Sequence, residues 1–343
     1  MNRTVKVSAV IAAAAILAFV GIGGPRFLVP TASADPLLPV GPGINIDLDG
    51  PAVDLNLDRE LGMALDFVHR GEGATRPIPV PGHCAKKVTP ATIQAAVDAA
   101  KPGDRFCVFG SSKDRIVVER TGAVQVPITI TGDGRGTQAG ITLDANNVTV
   151  ENFNFAESAP GMDVLGNHLT LRNNTVTHPV GEDYDGVRFF GDDMKIYKNT
   201  ISRITNTEEA HADCMQTFSS DTAPSQRVII DNNRCEKTDN QCLIVEGPND
   251  GEGDGIGHTS DIVFSRNFCE AGASQAVMLE DAQRVSIVLN DIRGDLDKAF
   301  AFDIGSTFGK VIANKIAPNI SYEVGMDDTS RPGYIGPEPG GPP

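Results

Sequence analysis

VTVENFNF, at residues 148–155, is the first of seven closely similar phrases that decide the fold of this chain. The other six are LTLRNNTV (169–176), MKIYKNTI (194–201), VIIDNNRC (228–235), IVFSRNFC (262–269), VSIVLNDI (285–292) and KVIANKI (310–316). Each phrase alternates apolar and polar residues as a short strand does, reaches an Asn, and closes on one apolar residue or Cys. From the second phrase onward the Asn recurs every 23 to 25 or 34 residues. Such a period is typical of stacked units, none of which can bury its apolar face alone.

The strand-sized repeats, with almost no helical pattern between them, predict an all-β protein built as a parallel β-helix, a kind of solenoid. One short helix is predicted before the repeats, with Thr89 as N-cap, Pro90 at the first helical position, and Ile93 and Val97 on its apolar face. We expect this helix to cap the open end of the first coil, because an uncovered terminal strand invites edge pairing.

The two ends of the chain differ in composition from the repeats. Arg3 and Lys6 precede an apolar stretch, and Ala32-Ser33-Ala34 forms a small-residue cleavage site, so residues 1–34 are predicted to be a secretory signal peptide. An uncleaved anchor is the alternative, disfavoured because the apolar run is short for a membrane span. The remaining predicted segments are a Pro/Gly-rich leader or linker with a short helix around 59–68 (35–82), the β-helix domain (83–324) and a disordered Gly/Pro-rich tail (325–343).

The composition is strongly acidic, with a formal net charge of −16. Without residues 1–34, which hold three basic and no acidic residues, 26 basic face 45 acidic residues and the charge becomes −19. Nucleic acid is not an expected partner, because phosphate contacts need clustered Lys and Arg. We expect a secreted monomer, extracellular or associated with the cell envelope, with no stable membrane insertion after signal cleavage.

Six cysteines in a secreted chain predict disulfides, with buried free thiols as the alternative. Cys235 and Cys269 occupy the same position of successive phrases, and Cys214 and Cys242 are likewise in register one coil apart. Neighbouring coils lie about 4.8 Å apart, within the Cα separation that a disulfide tolerates. The predicted pairs are therefore Cys235–Cys269 and Cys214–Cys242, which leaves Cys84 with Cys107.

The helix TIQAAVDAAKPGD (92–104), followed by strands and Asn-bearing coils, resembles the secreted right-handed parallel β-helix proteins of the pectin-lyase-like and polysaccharide lyase group. The resemblance covers residues 84–320. It implies a right-handed solenoid and an extracellular polysaccharide as partner. It does not imply one activity, because lyases, hydrolases, epimerases and non-catalytic adhesins share this architecture.

A second strand recurs between the phrases and shows where a site could lie. Its copies are DGVRFF (185–190), DCMQTF (213–218), QCLIVE (241–246), QAVMLE (275–280) and KAFAFD (298–303). The third and fifth residues are mostly apolar and should point inward, so the fourth and sixth should point outward. The longest loops surround the coils that begin at Asp185, Asp213 and Gln241, which predicts a cleft across these coils.

The densest polar cluster lies in the same place, in the run EEAHADCMQ (208–216). By register, three of its residues stack over three residues of the coil before: His211 over Asp183, Asp213 over Asp185, and Gln216 over Arg188. The pattern His-x-Asp-x-x-Gln is similar to one seen in secreted β-helix proteins of the group named above. The sequence therefore favours a functional site at this position.

A lyase-type β-elimination on an acidic polysaccharide is the favoured function. Such a reaction needs a neutralised uronate carboxylate, a base and an acid. Arg188 suits the carboxylate, His211 the base and Tyr184 the acid, while Asp213 completes the catalytic set because a carboxylate beside His211 would fix its tautomer. The predicted substrate-binding residues are Asp183, Asp185, Gln216 and Glu246.

Two other functions stay open. Asp185 and Asp213, one coil apart, could serve a glycoside hydrolase as paired carboxylates, or the β-helix could bind glycans or a surface partner without catalysis. The Asp-rich motifs of polygalacturonase-like hydrolases are missing, and so is the Asp-His and Arg-x-Pro-x-x-Arg pair of pectate lyases. A purely structural alternative is that His211 and Asp213 brace a long loop.

Calcium is the one cofactor that the sequence suggests. The loop NDGEGDGIGHTSD (249–261) places four carboxylates at positions 1, 3, 5 and 12 of a calcium-loop template, namely Asp250, Glu252, Asp254 and Asp261. A solvated acidic turn is the alternative. Glu246, Glu280 and Asp303 form an outward acidic row, interpreted as a charged solvated face, with metal or cationic-sugar binding left open.

Overall fold

In the computed structural model the chain forms a parallel β-solenoid. The structure describes residues 84–158, 160–180, 185–206, 211–220 and 222–343. The predicted signal peptide, the predicted linker and its helix, and the candidate residues Asp183 and Tyr184 lie outside this part of the chain.

Three long parallel sheets, called A, B and C below, run along the described coils. Sheet A consists of β1 (Lys86–Val88), β2 (Arg105–Val108), β4 (Ile128–Gly132), β7 (Val148–Glu151), β10 (Thr170–Arg172), β13 (Lys195–Tyr197), β16 (Ile229–Asp231), β20 (Val263–Ser265), β24 (Ser286–Val288) and β27 (Lys310–Ile312). Sheet B consists of β3 (Ile116–Val118), β6 (Ile141–Asp144), β9 (Met162–Leu165), β12 (Val187–Phe190), β15 (Met215–Thr217), β18 (Leu243–Glu246), β22 (Gln275–Glu280), β26 (Lys298–Asp303) and β29 (Tyr322–Met326). Sheet C consists of β5 (Thr137–Gln138), β8 (Asn154–Ala156), β11 (Thr175–Thr177), β14 (Thr200–Ile204), β17 (Arg234–Thr238), β21 (Phe268–Ala271), β25 (Asp291–Gly294) and β28 (Lys315–Ile316).

Three short elements complete the described fold. Strands β19 (Thr259–Ser260) and β23 (Ala282–Gln283) pair with each other beside sheet A. Helix α1 (Pro90–Asp98) packs its buried Ile93 and Val97 against the first strands, as predicted, and Thr89 forms a capping box with Thr92. A 3₁₀ turn spans Asp328–Ser330. No helix in the described residues is both long and apolar enough to cross a membrane.

Each repeated phrase forms two strands rather than the single strand that its alternation predicts. In MKIYKNTI, for example, β13 and β14 meet at a sharp corner at Lys198, whose φ is 57°. The residue before each ladder Asn has this left-handed backbone, which costs a non-glycine residue about 1–2 kcal/mol. The residues concerned are Asn173, Lys198, Asn232, Arg266, Leu289 and Ala313. A pattern of side-chain polarity cannot reveal this corner, because it does not report backbone φ.

The ladder of buried Asn side chains holds these corners. From Asn174 to Asn290, each backbone N–H donates to Oδ1 of the next ladder Asn at 2.8–3.0 Å. Each Nδ2 also donates to a main-chain carbonyl of the coil before, as Asn199 does to Leu171 at 3.0 Å. At about 1 kcal/mol for each hydrogen bond, these contacts offset the cost of the left-handed residues.

The solenoid interior is apolar, and the predicted inward positions of sheet B lie in it. These are Val187, Phe189, Met215, Thr217, Leu243, Val245, Val277, Leu279, Phe300 and Phe302, all fully buried. The predicted register is confirmed as well, since Arg188 pairs with Gln216 across β12 and β15. The alternation of side chains along each strand therefore predicts the core positions of this sheet correctly, but the predicted outward residues Phe190 and Ala301 are buried as well.

The disulfide prediction is correct for one pair and wrong for two. Cys84 is bonded to Cys107, but the other bonds are Cys214–Cys235 and Cys242–Cys269, not Cys235–Cys269 and Cys214–Cys242. Cys235 and Cys269 are neighbours in register, as predicted. Side chains stacked in register point the same way, however, whereas a disulfide needs Cβ atoms that converge. Each bond instead crosses the corner between sheets B and C, with Cα atoms 6.0 Å apart.

The predicted disorder of residues 325–343 is also wrong, and the fold extends beyond residue 324 to the C-terminus. Ile335 forms a parallel bridge with Lys310, and Gly341 forms one with Gly325. The ring of Tyr334 packs edge-on against Phe302 in the core. The open strand edges of the last coil supply the hydrogen-bond partners that order this segment, which its Gly/Pro-rich composition does not reveal.

Candidate functional site

The outer face of sheet B carries a row of half-buried polar side chains. Arg188 on β12 pairs in register with Gln216 on β15, while Glu246 on β18 pairs with Glu280 on β22 and Glu280 with Asp303 on β26. We call these five residues the outer-face row. Nε2 of Gln216 lies 3.4 Å from Oε2 of Glu246, which connects the basic end of the row to its acidic end.

An aromatic pair flanks the basic end of the row. The rings of Phe190 and Phe218 meet edge to face with centroids 4.8 Å apart. The guanidinium carbon of Arg188 lies 5.5 Å from the centroid of the Phe218 ring, within cation–π range. Phe190 is buried, whereas Phe218 stays partly exposed beside Gln216 and offers an apolar surface to a ligand.

Four residues, Asp185, Arg188, Asp213 and Gln241, form what we call the corner cluster, where sheet C turns into sheet B. Asp185 is fully buried and accepts from Nε of Arg188 at 2.6 Å and from the backbone N–H of Asp213 at 2.7 Å. Asp213 repeats this arrangement one coil later, because its Oδ1 accepts from the backbone N–H of Gln241 at 2.9 Å. The carboxylates of Asp185 and Asp213 thus each accept a hydrogen bond from a backbone N–H group of the next coil.

The second oxygen of Asp213 lacks a hydrogen-bond donor. Both Oδ2 of Asp213 and Oε1 of Gln241 are buried acceptors without a partner in the structure. Burial, followed by the nearby charge of Asp185, raises the pKa of the Asp213 carboxyl well above its usual value. The raised pKa favours the protonated carboxyl, in which Oδ2 could donate a hydrogen bond.

The structure brings only part of the predicted lyase set together. Asp185 and Asp213 are fully buried, so neither side chain presents an oxygen to a ligand on the surface. His211 is exposed and makes no hydrogen bond or ion pair with any residue that the structure describes. Arg188 and Gln216 do lie side by side on the outer face. The roles predicted for His211, Arg188 and Tyr184 stay predictions.

Glu246 is the ionisable group of the outer-face row whose chemistry is most altered. Burial raises its pKa to about 7, and the negative charges of Glu280, Asp250 and Glu252 act in the same direction, while the hydrogen bond from Gln216 opposes them. The pKa of Glu280 is raised as well, by burial and then by Asp303. At neutral pH Glu246 therefore exists in both protonation states, as a general acid requires.

A second polar group, which we call the loop cluster, consists of Asn249, His258 and Asp281. Nδ1 of His258 lies 2.5 Å from Oδ1 of Asp281, and Oδ2 of Asp281 accepts from the backbone N–H of Asn249 at 2.9 Å and from its Nδ2 at 2.7 Å. The Asp281 side chain is 3% exposed, whereas that of His258 is 45% exposed. A buried carboxylate thus orients an accessible imidazole.

His258 and Asp281 were not predicted as a pair, although their spacing from the Asn ladder indicates that they are neighbours. His258 lies nine residues before Asn267, and Asp281 lies nine residues before Asn290. Positions with equal offsets from successive ladder residues are neighbours, as the pairing of Thr259 with Ala282 demonstrates. Extending the register into the loops would have identified this contact.

The predicted calcium ligands do not converge. Asp261 is paired with Arg284, while Asp250 and Asp254 accept backbone N–H groups of their own loop. Among the described residues no group of three or more His, Cys, Asp or Glu side chains is arranged to hold a metal ion. Calcium binding at this loop stays a prediction without a preformed ligand set.

Two of the long loops lie side by side and enclose a groove. The groove has a volume of about 350 Å³ and is lined by Ser219, Ser220, Thr222, Ala223, Pro224, Asp254 and Ile256. It begins directly after Phe218, at the edge of the outer face of sheet B. Hydroxyl groups and apolar surface therefore continue from the outer-face row into the space between the loops.

Comparisons with known proteins agree with the fold. A family model for a right-handed β-helix region matches residues 129–294, and the search of curated proteins finds no match. Among solved structures, an alginate lyase from Paenibacillus sp. str. FPU-7 has 15% identity and a TM-score of 0.47, covering 70% of this chain and 98% of the lyase. A mannuronic acid specific polysaccharide family 6 lyase from human gut microbiota has 13% identity and a TM-score of 0.46, covering 70% of this chain and 66% of the lyase.

A third structure comes from a different class of enzyme. The catalytic domain of a GH87 alpha-1,3-glucanase, in complex with tetrasaccharides, has 10% identity and a TM-score of 0.38, covering 79% of this chain and 71% of that domain. The parallel sheets A, B and C and the family model over residues 129–294 identify the fold of this chain as a right-handed parallel β-helix.

Proposed function

We propose that this protein is an extracellular carbohydrate-active enzyme that binds a polysaccharide across the outer face of sheet B and hydrolyses it. The observation that carries the proposal is Glu246, a half-buried carboxyl with a pKa of about 7 on the open face, hydrogen-bonded to Gln216. A carboxylic acid that keeps its proton near neutral pH can protonate a glycosidic oxygen as the bond breaks.

The charges of the outer-face row favour hydrolysis over β-elimination. A uronate polymer would place a carboxylate on every residue near Glu246, Glu280 and Asp303. Only Arg188 is basic in that row, and its guanidinium is already bonded to Asp185. A neutral or amino-sugar polymer avoids this repulsion, and the face of Phe218 can stack on the apolar side of a pyranose ring.

An extracellular location fits the proposal. Three disulfides connect all six cysteines, and disulfides persist mainly in oxidising compartments outside the cytosol. The predicted signal peptide points the same way.

Lyase-type cleavage of an acidic polysaccharide is the second candidate. It is favoured by the adjacency of Arg188 and Gln216, which are in register and partly exposed, and which could neutralise one uronate carboxylate. This function requires His211 or another group as base, and it predicts unsaturated products.

The test is incubation of the purified protein with a panel of neutral, amino-sugar and uronate polysaccharides. New reducing ends without ultraviolet absorbance indicate hydrolysis, whereas absorbance of an unsaturated uronate indicates β-elimination. Under the proposal, Glu246→Gln lowers kcat by about a hundredfold or more, because the proton donor is lost. Glu270→Gln, an exposed glutamate on sheet C, serves as matched control and keeps the wild-type rate. No product from any polymer, with binding retained, would instead indicate a non-catalytic glycan-binding protein.

A further inference from the structure

Hydrolysis with Glu246 as acid needs a second group that takes a proton from water. Glu280 is the neighbour of Glu246 in register on the next strand. Neighbouring strands lie about 4.8 Å apart, whereas an acid and a base that hold a water between them are about 6.5–9.5 Å apart. Asp185 and Asp213 are fully buried. Among the residues that the structure describes near this row, His258 is an ionisable group with a defined orientation and an open side.

The loop that carries His258 is anchored to the strands of the outer-face row at both of its ends. The backbone N–H of Gly247 donates to the carbonyl of Glu280 at 2.8 Å, and Oγ1 of Thr259 donates to the carbonyl of Glu246 at 3.2 Å. His258 directly precedes Thr259, and its ring contacts Asp281, the residue that follows Glu280. His258 therefore lies next to the acidic end of the row.

The loop cluster fixes the imidazole in one tautomer. Because a carboxylate only accepts hydrogen bonds, the contact with Asp281 places a proton on Nδ1 of His258. The neutral ring then carries a lone pair on Nε2, on the side away from Asp281. Three donors, two of them from Asn249, hold the buried carboxylate in place. The arrangement of a buried Asp that orients an exposed His is suited to general base catalysis.

We infer that His258, oriented by Asp281 and Asn249, is the general base of the reaction proposed above, and this inference rests on that proposed function. Nε2 of His258 takes one proton from a water molecule, whose oxygen bonds to the anomeric carbon. The bond from that carbon to the glycosidic oxygen breaks, its electron pair stays on the oxygen, and Glu246 supplies the proton. His258 ends protonated and Glu246 ionised, and exchange with solvent restores both.

The charged groups around His258 are acidic. Asp250, Glu252 and Asp254 belong to the same loop, and Glu246, Glu280 and Asp281 lie on or next to the packed strands. Because Glu246 must hold a proton to act as the acid, the rate is expected to fall as Glu246 ionises above about pH 7.

The decisive variant is His258→Gly, assayed with and without added imidazole on whichever polysaccharide the wild type hydrolyses. The expected result is a loss of about a hundredfold in kcat/KM, partly restored by millimolar imidazole. His168→Gly is the matched control, since His168 is exposed and lies 3.9 Å from Asp193 on another part of the surface. It keeps the wild-type rate and shows no response to imidazole.

Asp281→Asn tests the positioning role without relying on activity. An Asn side chain can still accept from Asn249, but it then presents its amide group to His258 and forces the proton from Nδ1 to Nε2. Nitrogen NMR of the His258 ring is expected to report the Nδ1–H tautomer in the wild type and the other tautomer in the variant. An unchanged tautomer overturns the positioning role of Asp281.

The outcomes separate this inference from the proposed function. Hydrolysis that depends on Glu246 but proceeds at the wild-type rate in His258→Gly, or a loss that imidazole does not restore, overturns the inference alone. If the wild type hydrolyses no polysaccharide, both are overturned.

Discussion

The corner cluster and the loop cluster share one arrangement, a buried carboxylate hydrogen-bonded to a nitrogen-containing side chain. They differ in whether that side chain can take part in proton transfer. In the corner cluster Asp185 holds Arg188, whose side chain is 18% exposed and keeps its charge at every accessible pH. In the loop cluster Asp281 holds His258, which is 45% exposed and whose neutral imidazole has one nitrogen that donates and one that accepts.

The difference shows that the burial of an ion pair indicates whether it is structural or available for catalysis. The number of polar residues in a stretch of sequence does not indicate this. The run EEAHADCMQ attracts attention because it is rich in polar residues, yet its Asp213 is fully enclosed. His258 lies in a glycine-rich loop and is not part of the calcium-loop template found there, yet it has both an orienting partner and an open side.

The largest effect on stability is expected from Arg188→Met. The substitution leaves the carboxylate of Asp185 buried without its guanidinium partner, and such a loss costs about 3–5 kcal/mol of unfolding free energy. Urea denaturation measures it. The matched control is Arg227→Met, which breaks an exposed pair with Asp192 and Asp193 and should cost less than about 1 kcal/mol. Equal effects of the two variants would mean that the corner cluster has no special structural role.

Asp281→Ala is expected to cost about 2 kcal/mol, because it leaves the donors of Asn249 without their buried acceptor. The loss of stability should be confined to this loop, because the chain rejoins the paired strands of the solenoid at Thr259. Hydrogen exchange should therefore accelerate in residues 247–258 and stay unchanged in the Asn ladder. Asp254→Ala, in the same loop but exposed, is the control. Faster exchange throughout the described coils would contradict the local role.

Asp213→Asn should have an effect that grows with pH. Because the pKa of Asp213 is raised above its usual 3.8 in the folded protein, the folded state binds the proton more tightly than the unfolded state. This contribution to stability is complete below about pH 4 and declines as pH rises toward the folded pKa. The neutral Asn does not titrate, so the melting temperature of the variant should gain on the wild type between pH 4 and pH 8. A constant difference across this range would exclude a protonated Asp213.

The smallest effect on stability is expected from His258→Gln. The side chain is nearly half exposed, and an exposed polar contact contributes within about 0.5 kcal/mol. The free energy of unfolding measured with urea should therefore equal that of the wild type, whereas the rate of hydrolysis should fall. A large loss of stability would assign His258 to the structural side of the comparison.

Much of the fold is predictable because the sequence contains two regular patterns, the spacing of the Asn residues between coils and the alternation of polar and apolar residues within a strand. The Asn spacing predicts the coils, and alternation predicts that Val187 and Phe189 lie inside while Arg188 lies outside. Two of the disulfide predictions were wrong because the register tells which residues are neighbours along the stack but not in which direction a Cβ atom points. The corner at Lys198 was not predicted because a positive φ does not affect the pattern of polar and apolar residues.

The strand register of the candidate residues was predictable, but their ionisation and their loop contacts were not. Arg188 and Gln216 were identified because they lie in strands, where the register can be counted. The pKa of Glu246 depends on how deeply the surrounding loops bury it, and loop conformation cannot be counted from a repeat. The contact of His258 with Asp281 is an intermediate case. The spacing from the Asn ladder indicates it, but the contact occurs in a loop, where the register is not normally counted.

The ordered C-terminal segment has a consequence for association between molecules. A coil whose strand edges are open can pair with the terminal coil of a second molecule. Ile335 and Gly341 form bridges with Lys310 and Gly325 at the edge of the last coil that the structure describes. Residues 331–343 thus protect this edge, and their removal is expected to expose it and to promote end-to-end association.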